Sequence, residues 1–275
     1  PRVIAEVIIK TLNENNLLVP AGISKVEIAG PGFINITLES ASQGSVVIEI
    51  LTAGKKYGQG QSLAGKKINL EFVSANPTGP IHLGHTRWAA VGDSLGRVLS
   101  AAGAQVSREF YVNDRGNQMD LFGQSLRAAA LGIDRPENGY HGEYIADLAS
   151  QITKVNPEFT KLDEESGMVA FREAGYKLQL DLQREVLENF GTHFDTWFSE
   201  RSLYENNFFN HTLDKLKSNG HVYEEDGAIW LRTTDFGDDK DRVMIKSDGS
   251  FAYFASDSAY YISKRERGFN LCIYM

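Results

Sequence analysis

The feature that most constrains the fold of this 275-residue chain is a loop rich in proline and glycine at residues 75–85. An apolar, strand-like run at residues 68–73 precedes it, and a run with helical spacing follows at residues 86–95. A strand that feeds a helix through such a loop is typical of phosphate binding, because the first-turn amides lack partners within the helix and the helix dipole attracts an anion. The candidate nucleotide-binding residues are Ala75, Asn76, Pro77, Thr78, Gly79, Pro80, Ile81, His82, Leu83, Gly84 and His85.

Two histidines stand three residues apart where that helix begins. His82 and His85 can each donate a hydrogen bond to a phosphate oxygen, and Gly84 has no side chain to keep a flat base away from the backbone. The arrangement favours ATP binding and a reaction at a phosphate. The alternatives are a metal site and ordinary polar residues at a helix start. A zinc site needs a third and a fourth ligand, and no other histidine or cysteine is paired at ligand spacing, so no metal is expected.

Composition limits the classes of protein to which the chain can belong. A hydrophobic content of 42% is enough for a sizeable core, in one large or two modest domains. The single cysteine, Cys272, excludes a disulfide within the chain and favours a cytoplasmic location. No apolar run approaches the roughly 18 residues of a membrane span, so no membrane association is expected. The net charge of −8 leaves nucleic-acid binding open, because binding needs only a local basic patch, with candidates at Arg108, Arg115, Arg127 and residues 264–267.

Residues 1–62 predict a small α/β domain. Helical spacing at residues 3–18 is followed by two short strands, at 25–29 and 33–38, and by a second helical stretch at 44–51. The polar, glycine-rich segment after this helix has no periodicity, so it is interpreted as a linker. We therefore expect a domain boundary between residues 62 and 63.

A βαβ pattern follows and predicts the main architecture of residues 63–275. Strands are expected at residues 67–74 and 105–112, with a helix at 85–102 between them, and a right-handed crossover makes the two strands parallel. A further helix at 117–131 continues the alternation. The prediction is a doubly wound, parallel, Rossmann-like α/β sheet whose ligand lies at the carboxyl ends of the strands.

An insertion with helices and little strand is expected at about residues 134–249. Its elements are helices at residues 143–154, 167–189 and 206–218 and a hairpin of 228–232 against 242–246. The acidic loop at 235–241 joins the hairpin arms. It could bind a cation, but a solvated hairpin tip is the favoured interpretation.

The end of the chain returns to the α/β pattern. Residues 251–253 predict a short strand, 256–267 a helix and 269–275 an apolar strand. A strand that reaches the last residue suggests that the natural chain continues.

Two segments carry a resemblance to a known family. Residues 71–85, Glu-Phe-Val-Ser-Ala-Asn-Pro-Thr-Gly-Pro-Ile-His-Leu-Gly-His, resemble the first signature motif of class I aminoacyl-tRNA synthetases. Residues 111–118, Tyr-Val-Asn-Asp-Arg-Gly-Asn-Gln, are similar to a segment of bacterial arginyl-tRNA synthetases. The resemblance spans the chain as part of the N-terminal additional domain followed by the first part of the catalytic domain. The first motif alone would leave glutamyl- and glutaminyl-tRNA synthetases open.

The resemblance implies an arginine–tRNA ligase. In this family ATP, which carries Mg²⁺ with it, activates L-arginine to arginyl-adenylate, and the arginyl group then passes to tRNA(Arg). A monomer without a structural metal is implied. His82 and His85 would stabilise charge on the phosphates in the transition state, Gly84 would pack against adenine, and Ser74 and Asn76 would hold the backbone of the amino acid.

A guanidinium group requires a carboxylate that matches its fork of donors. Tyr253 and Asp257, one helical turn apart, resemble the family's pair that reads the arginine side chain, and Glu200 resembles its second acid. For Asp257 the alternative is an acid on the surface at a helix start. Glu71 is a further candidate that could equally be a structural ion-pair partner.

Gly79 stands where some family members carry a lysine, and those members lack a standard second signature lysine downstream. With Gly79, the resemblance implies a Lys-Met-Ser-Lys-like loop in the natural protein, and no such loop occurs in these 275 residues. We expect this chain to bind parts of its substrates but not to aminoacylate alone. The alternatives are a small nucleotidylyltransferase and a non-catalytic synthetase-like module that binds tRNA or an amino acid. The intact first signature motif disfavours the non-catalytic module.

Overall fold

The computed structural model describes residues 1–205 and 208–275, without the side chains of residues 41–43. The helix start predicted at Asn206 lies outside the described residues. The chain divides into two compact units, Pro1–Gln59 and Gly60–Met275.

The first unit has the predicted order of helix, strand, strand and helix. Its elements are α1 (Arg2–Glu14), β1 (Ile23–Ala29), β2 (Phe33–Leu38) and α2 (Ser40–Ala53). The strands are antiparallel, and Ala29 lies opposite Phe33. Helix α1 is shorter than predicted because Asn16 has a left-handed φ of 52°, a conformation that asparagine tolerates better than most residues.

A four-stranded parallel sheet forms the centre of the second unit. Its strands are β3 (Lys67–Glu71), β4 (Gln105–Val112), β5 (Thr196–Ser199) and β9 (Leu271–Tyr274), in the spatial order β5-β4-β3-β9. All three strand pairs are parallel, which confirms the predicted parallel α/β fold. Helix α3 (Leu83–Ala101) connects β3 to β4 and packs closely at Gly92, where a Cβ would lie 2.2 Å from the ring of Phe72.

Two boundaries around the signature loop differ from the prediction. Strand β3 ends at Glu71 rather than Ser74, because Val73 and Ser74 turn the chain with φ angles of 67° and 42°. Helix α3 begins two residues earlier than predicted, because His82 caps it with its side chain.

Three helices pack into a layer of their own. These are α4 (Asn117–Leu131), α5 (Glu143–Val155) and α6 (Glu164–Asn189). Their shared core is formed by buried apolar residues, namely Phe122, Leu126, Ile145, Leu148, Ala149, Ile152 and Phe171. Helix α6 begins before its predicted start because Asp163 caps it, accepting a hydrogen bond from the amide of Ser166.

The expected insertion at residues 134–249 is interrupted, because β5 returns to the central sheet and pairs with β4. Strand β5 was not predicted, because its four residues are too few to show a periodic pattern. It packs on β4 through Trp197, whose ring stacks on that of Phe110 with centroids 4.2 Å apart. The predicted hairpin gains a third strand. It consists of β6 (Val222–Glu225), β7 (Ala228–Leu231) and β8 (Arg242–Ile245), all antiparallel.

The prediction missed β6, although Asp226-Gly227 between β6 and β7 is a strong hairpin signal. Both residues have positive φ angles, 52° and 75°. The other helices of this region are α7 (Arg201–Glu205), α8 (Phe208–Ser218) and α9 (Tyr253–Glu266). Phe251 makes only an isolated bridge to Ile245, so the strand predicted at residues 251–253 is wrong and the helix begins at Tyr253. Within the described part of the chain, no helix is both long and apolar enough to cross a membrane.

Candidate functional site

Ser74 is fixed at the point where the chain leaves the central sheet. Its Oγ accepts a hydrogen bond from the amide of Tyr111 on β4, at 3.1 Å, and donates to Oε1 of Glu71, at 3.2 Å. The side chain therefore joins the ends of two neighbouring strands. These bonds support a left-handed backbone at Ser74 that costs about 1–3 kcal/mol for a residue other than glycine.

The two histidines of the loop hold each other and the start of α3. Nδ1 of His82 accepts from the amide of Gly84 at 3.1 Å, and Nδ1 of His85 accepts from the amide of His82 at 3.3 Å. The rings stack with centroids 3.8 Å apart. A nitrogen that accepts carries no proton, so the remaining proton of each ring is on Nε2. Each histidine thus keeps one N–H donor free of these capping bonds.

Burial is the larger cause that lowers the pKa of His85, and electrostatic repulsion from His82 lowers it further. The uncharged form of His85 is therefore favoured, and its Nε2–H stays available as a hydrogen-bond donor. A Cβ at Gly84 would lie 3.0 Å from Cε1 of His82, so glycine gives room to the histidine that caps the helix. The predicted contact of Gly84 with adenine stays a prediction.

A cleft of about 780 Å³ opens at the carboxyl ends of the strands, beside the loop. Four of the five predicted arginine-binding residues line it, namely Asn76, Glu200, Tyr253 and Asp257. Ser74, the fifth, does not line the cleft. It lies behind the wall, bonded to the backbone of Tyr111.

The wall of the cleft is ordered by the segment at residues 111–118. Gln118 accepts a hydrogen bond from Nδ2 of Asn76 at 3.0 Å. Arg115 lies over the ring of Tyr204, 3.2 Å from its centroid, and both line the cleft. Tyr204 and Lys246 were not predicted to line the cleft. Neither stands near a motif, and only the packing of α7 and the three-stranded sheet brings them there.

Two acids give the cleft its electrostatic character. Burial raises the pKa of Glu200, and the charges of Asp114 and Asp257 add to that rise, although the Tyr111 hydroxyl donates to Glu200 and opposes it. Burial and the charge of Glu71 raise the pKa of Asp257. Among the described residues, neither carboxylate has an ion-pair partner. The cleft therefore offers two carboxylates to a cationic group, while Arg115 and Lys246 contribute positive charge to the same lining.

Glu71 forms a structural ion pair, which is the alternative that its position in a strand suggested. Its Oε2 accepts from Nζ of Lys264, which is fully buried, at 2.6 Å. Arg267 pairs with the buried Glu109, and Arg265 donates to backbone carbonyls at the end of the chain. The basic residues of the run at 264–267 are thus engaged in bonds within the protein, which does not favour this candidate patch.

The acidic loop at residues 235–241 bonds to protein groups. Asp238 accepts two hydrogen bonds from Arg242, and Asp241 accepts from Thr234 and from Tyr223. Among the described residues, no group of three histidine, cysteine or acidic side chains is placed to hold a metal ion.

Two protein-family models match the chain. The model described as tRNA synthetases class I (R), catalytic domain, matches residues 46–275, and the arginyl tRNA synthetase N terminal domain matches residues 1–38. Among curated relatives, the arginine–tRNA ligase of Renibacterium salmoninarum is 50% identical over all of this chain and 49% of the relative. That of Paenarthrobacter aurescens is 48% identical over 95% of this chain and 48% of the relative. The chain spans about half the length of the curated relatives it matches.

Solved structures agree with this relationship. A putative arginyl-tRNA synthetase from Campylobacter jejuni matches with a TM-score of 0.78 and 35% identity, over 86% of this chain and 53% of that chain. The arginyl-tRNA synthetase of Thermus thermophilus has a TM-score of 0.62 at 21% identity, over 89% of this chain and 42% of that chain, which shows a shared fold.

Proposed function

Since the chain belongs to the family of class I tRNA synthetases for arginine, we propose that its protein is an arginine–tRNA ligase. In the first step a carboxylate oxygen of L-arginine attacks the α-phosphorus of ATP, and the bond to the β-phosphate breaks to release pyrophosphate. In the second, a hydroxyl of the terminal ribose of tRNA(Arg) attacks the arginyl carbonyl and AMP leaves. The observation that carries this proposal is a cleft at the strand ends whose lining includes Asn76 of the signature loop and the two acids Glu200 and Asp257.

ATP is proposed to bind at the loop of residues 75–85 and the start of α3. The Nε2–H groups of His82 and His85 are suited to phosphate oxygens, because the capping bonds already fix the orientation of both rings. The loop itself holds no carboxylate. We therefore propose that Mg²⁺ arrives with the nucleotide, whose phosphates supply its ligands.

L-arginine is proposed to place its guanidinium group between Glu200 and Asp257, beside the hydroxyl of Tyr253. A guanidinium presents a planar fork of donors that two carboxylates can satisfy, whereas an ammonium is a point charge. Lysine would thus bind weakly. Citrulline would bind more weakly still, because it would leave the acids without a compensating charge.

The partners and setting follow the same proposal. We propose tRNA(Arg) as the acceptor, a monomeric enzyme and a cytoplasmic location. The family relationship supports tRNA(Arg) as the acceptor. The single cysteine supports the cytoplasmic location. Because these 275 residues hold no Lys-Met-Ser-Lys-like loop, we propose that the chain binds ATP and arginine but does not aminoacylate tRNA by itself.

The test is ATP–pyrophosphate exchange by the product of the whole reading frame, with arginine, lysine, citrulline or glutamine, and with or without tRNA(Arg). Exchange is expected with arginine and with none of the other three amino acids, and only when tRNA(Arg) is present. Exchange with a different amino acid would overturn the assignment of Glu200, Tyr253 and Asp257. Absence of exchange with every amino acid would favour the non-catalytic module. Arginylation by the 275-residue chain alone would contradict the proposal that it lacks a needed part.

A further inference from the structure

The signature loop is held from behind by two helices that carry none of the predicted substrate-binding residues. Nε2 of Gln183, on α6, donates to the carbonyl oxygens of Asn76, at 3.0 Å, and Gly79, at 2.8 Å. The hydroxyl of Tyr144, on α5, donates to the carbonyl oxygen of Thr78 at 2.9 Å. Three carbonyl groups within four residues of the loop therefore bond to side chains of the helical layer.

The two carbonyls that Gln183 holds share an unusual property. Each precedes a proline, Pro77 or Pro80, so its peptide group has no N–H and cannot take part in a turn as a donor. A carbonyl shielded from water still needs a donor. The side-chain amide of glutamine has two N–H groups, and Gln183 gives one to each carbonyl.

The orientation of this amide is determined by its neighbours. Both nearby loop groups are acceptors, so a flipped amide would place Oε1 against two carbonyl oxygens. Gln183 is 1% exposed, and its Oε1 is buried without a hydrogen-bond partner among the described residues. Without this side chain the two loop carbonyls lose these donors.

Fixing these carbonyls has an electrostatic consequence for the loop. A carbonyl oxygen is the negative end of a peptide dipole, and an anion is repelled by it. Bonds to α5 and α6 keep three such oxygens from turning toward a phosphate. The loop also leads within three residues from Gly79 to His82, so its position sets the start of α3.

We propose that Gln183 and Tyr144 are positioning residues of the ATP site, which hold the signature loop in the shape that presents His82 and the α3 N-terminus to phosphate. The identity of the ligand, ATP, rests on the proposed function. The hydrogen bonds that hold the loop do not depend on it. Neither residue touches ATP. They act through the three loop carbonyls.

The test compares Gln183→Glu with Gln179→Glu in the 275-residue chain. Gln183→Glu keeps the shape of the side chain but replaces both donors by an acceptor. Gln179 lies one turn earlier on α6 and is 2% exposed, and no hydrogen bond joins it to the loop among the described contacts. Both variants bury a new carboxyl on the same helix, so their losses of stability should be similar.

Hydrogen exchange of the peptides that cover residues 74–86 reports on the loop without any ligand. We expect exchange to be about tenfold faster in Gln183→Glu and unchanged in Gln179→Glu. Titration calorimetry should show ATP binding weakened about tenfold by Gln183→Glu, and less than twofold by Gln179→Glu. Tyr144→Phe, which removes one donor and keeps the ring, should weaken ATP binding about threefold.

Equal loop exchange in the two glutamate variants would overturn the proposal, as would unchanged ATP affinity in Gln183→Glu. If Gln183→Glu does not fold, Gln183→Met and Tyr144→Phe test the same bonds without a buried charge. If the unmodified chain binds no ATP, the proposed ligand fails. The exchange measurement still decides whether Gln183 holds the loop.

Discussion

Replacing Lys264 by methionine should destabilise the second unit by about 3 kcal/mol. Lys264 is fully buried, and its Nζ lies 2.6 Å from Glu71 and 3.7 Å from Glu109. Removing one partner of a buried ion pair costs about 3–5 kcal/mol, because the other charge stays buried without compensation. Glu109 keeps Arg267, and Glu71 is slightly accessible, so the lower end of that range applies.

Tryptophan fluorescence during urea unfolding measures this loss selectively, because Trp88, Trp197 and Trp230 all lie in the second unit. The control is Lys215→Met, which removes a surface pair with Glu266 from a side chain that is 47% exposed. This control should cost less than about 1 kcal/mol.

A second substitution separates charge from packing. Adding Glu71→Gln to Lys264→Met removes the uncompensated carboxylate and should recover about 2 kcal/mol of the loss. A loss below about 1 kcal/mol for Lys264→Met would refute the reasoning. So would a double variant less stable than Lys264→Met, since that would make the carboxylate favourable without its lysine.

Three further outcomes are expected. Asp257→Asn should weaken L-arginine binding by about tenfold or more in titration calorimetry, because one of the two carboxylates proposed to bind the guanidinium is lost. ATP binding should change little. Equal effects on both ligands would contradict the assignment. The pKa values of Glu200 and Asp257 are raised, so both acids take up protons at a higher pH than ordinary carboxyls. Arginine affinity should consequently fall as the pH is lowered from 7.5 to 5, and Glu200→Gln should flatten that profile. Gly92→Ala places a Cβ 2.2 Å from the ring of Phe72 and should cost about 1–3 kcal/mol in urea unfolding, whereas a cost near zero would mean that α3 shifts freely.

Local patterns predicted those parts of the fold that depend on neighbours in the sequence. Strand β4 and helix α4 have the predicted bounds, because long apolar periodicity and a following turn define them. The parallel sheet followed from the crossover rule. Strand β5 could not be predicted, because four residues carry too little pattern and their assignment depends on pairing with β4, more than 80 positions earlier.

In the candidate site, too, the residues close together in the sequence were predicted and the distant contacts were not. The loop and its histidines are local in sequence, and the structure keeps them together. Which polar residues support the loop could not be predicted, because a glutamine in a long helix such as α6 has the same pattern whether it is exposed or buried. Gln183 meets the loop over separations of 104 and 107 residues.

The strained turn at Ser74 is also held by a residue that is distant in the sequence. Glu71 accepts from Ser74 through Oε1 and from Lys264 through Oε2, so one carboxylate connects the turn to helix α9, 193 residues away from Glu71. An unpaired Glu71 would be a poorer anchor, because it would favour a position nearer to water. The buried lysine therefore contributes to the geometry of Ser74 as well as to stability. If so, Lys264→Met should weaken arginine binding by the folded chain, whereas the control Lys215→Met should leave it unchanged.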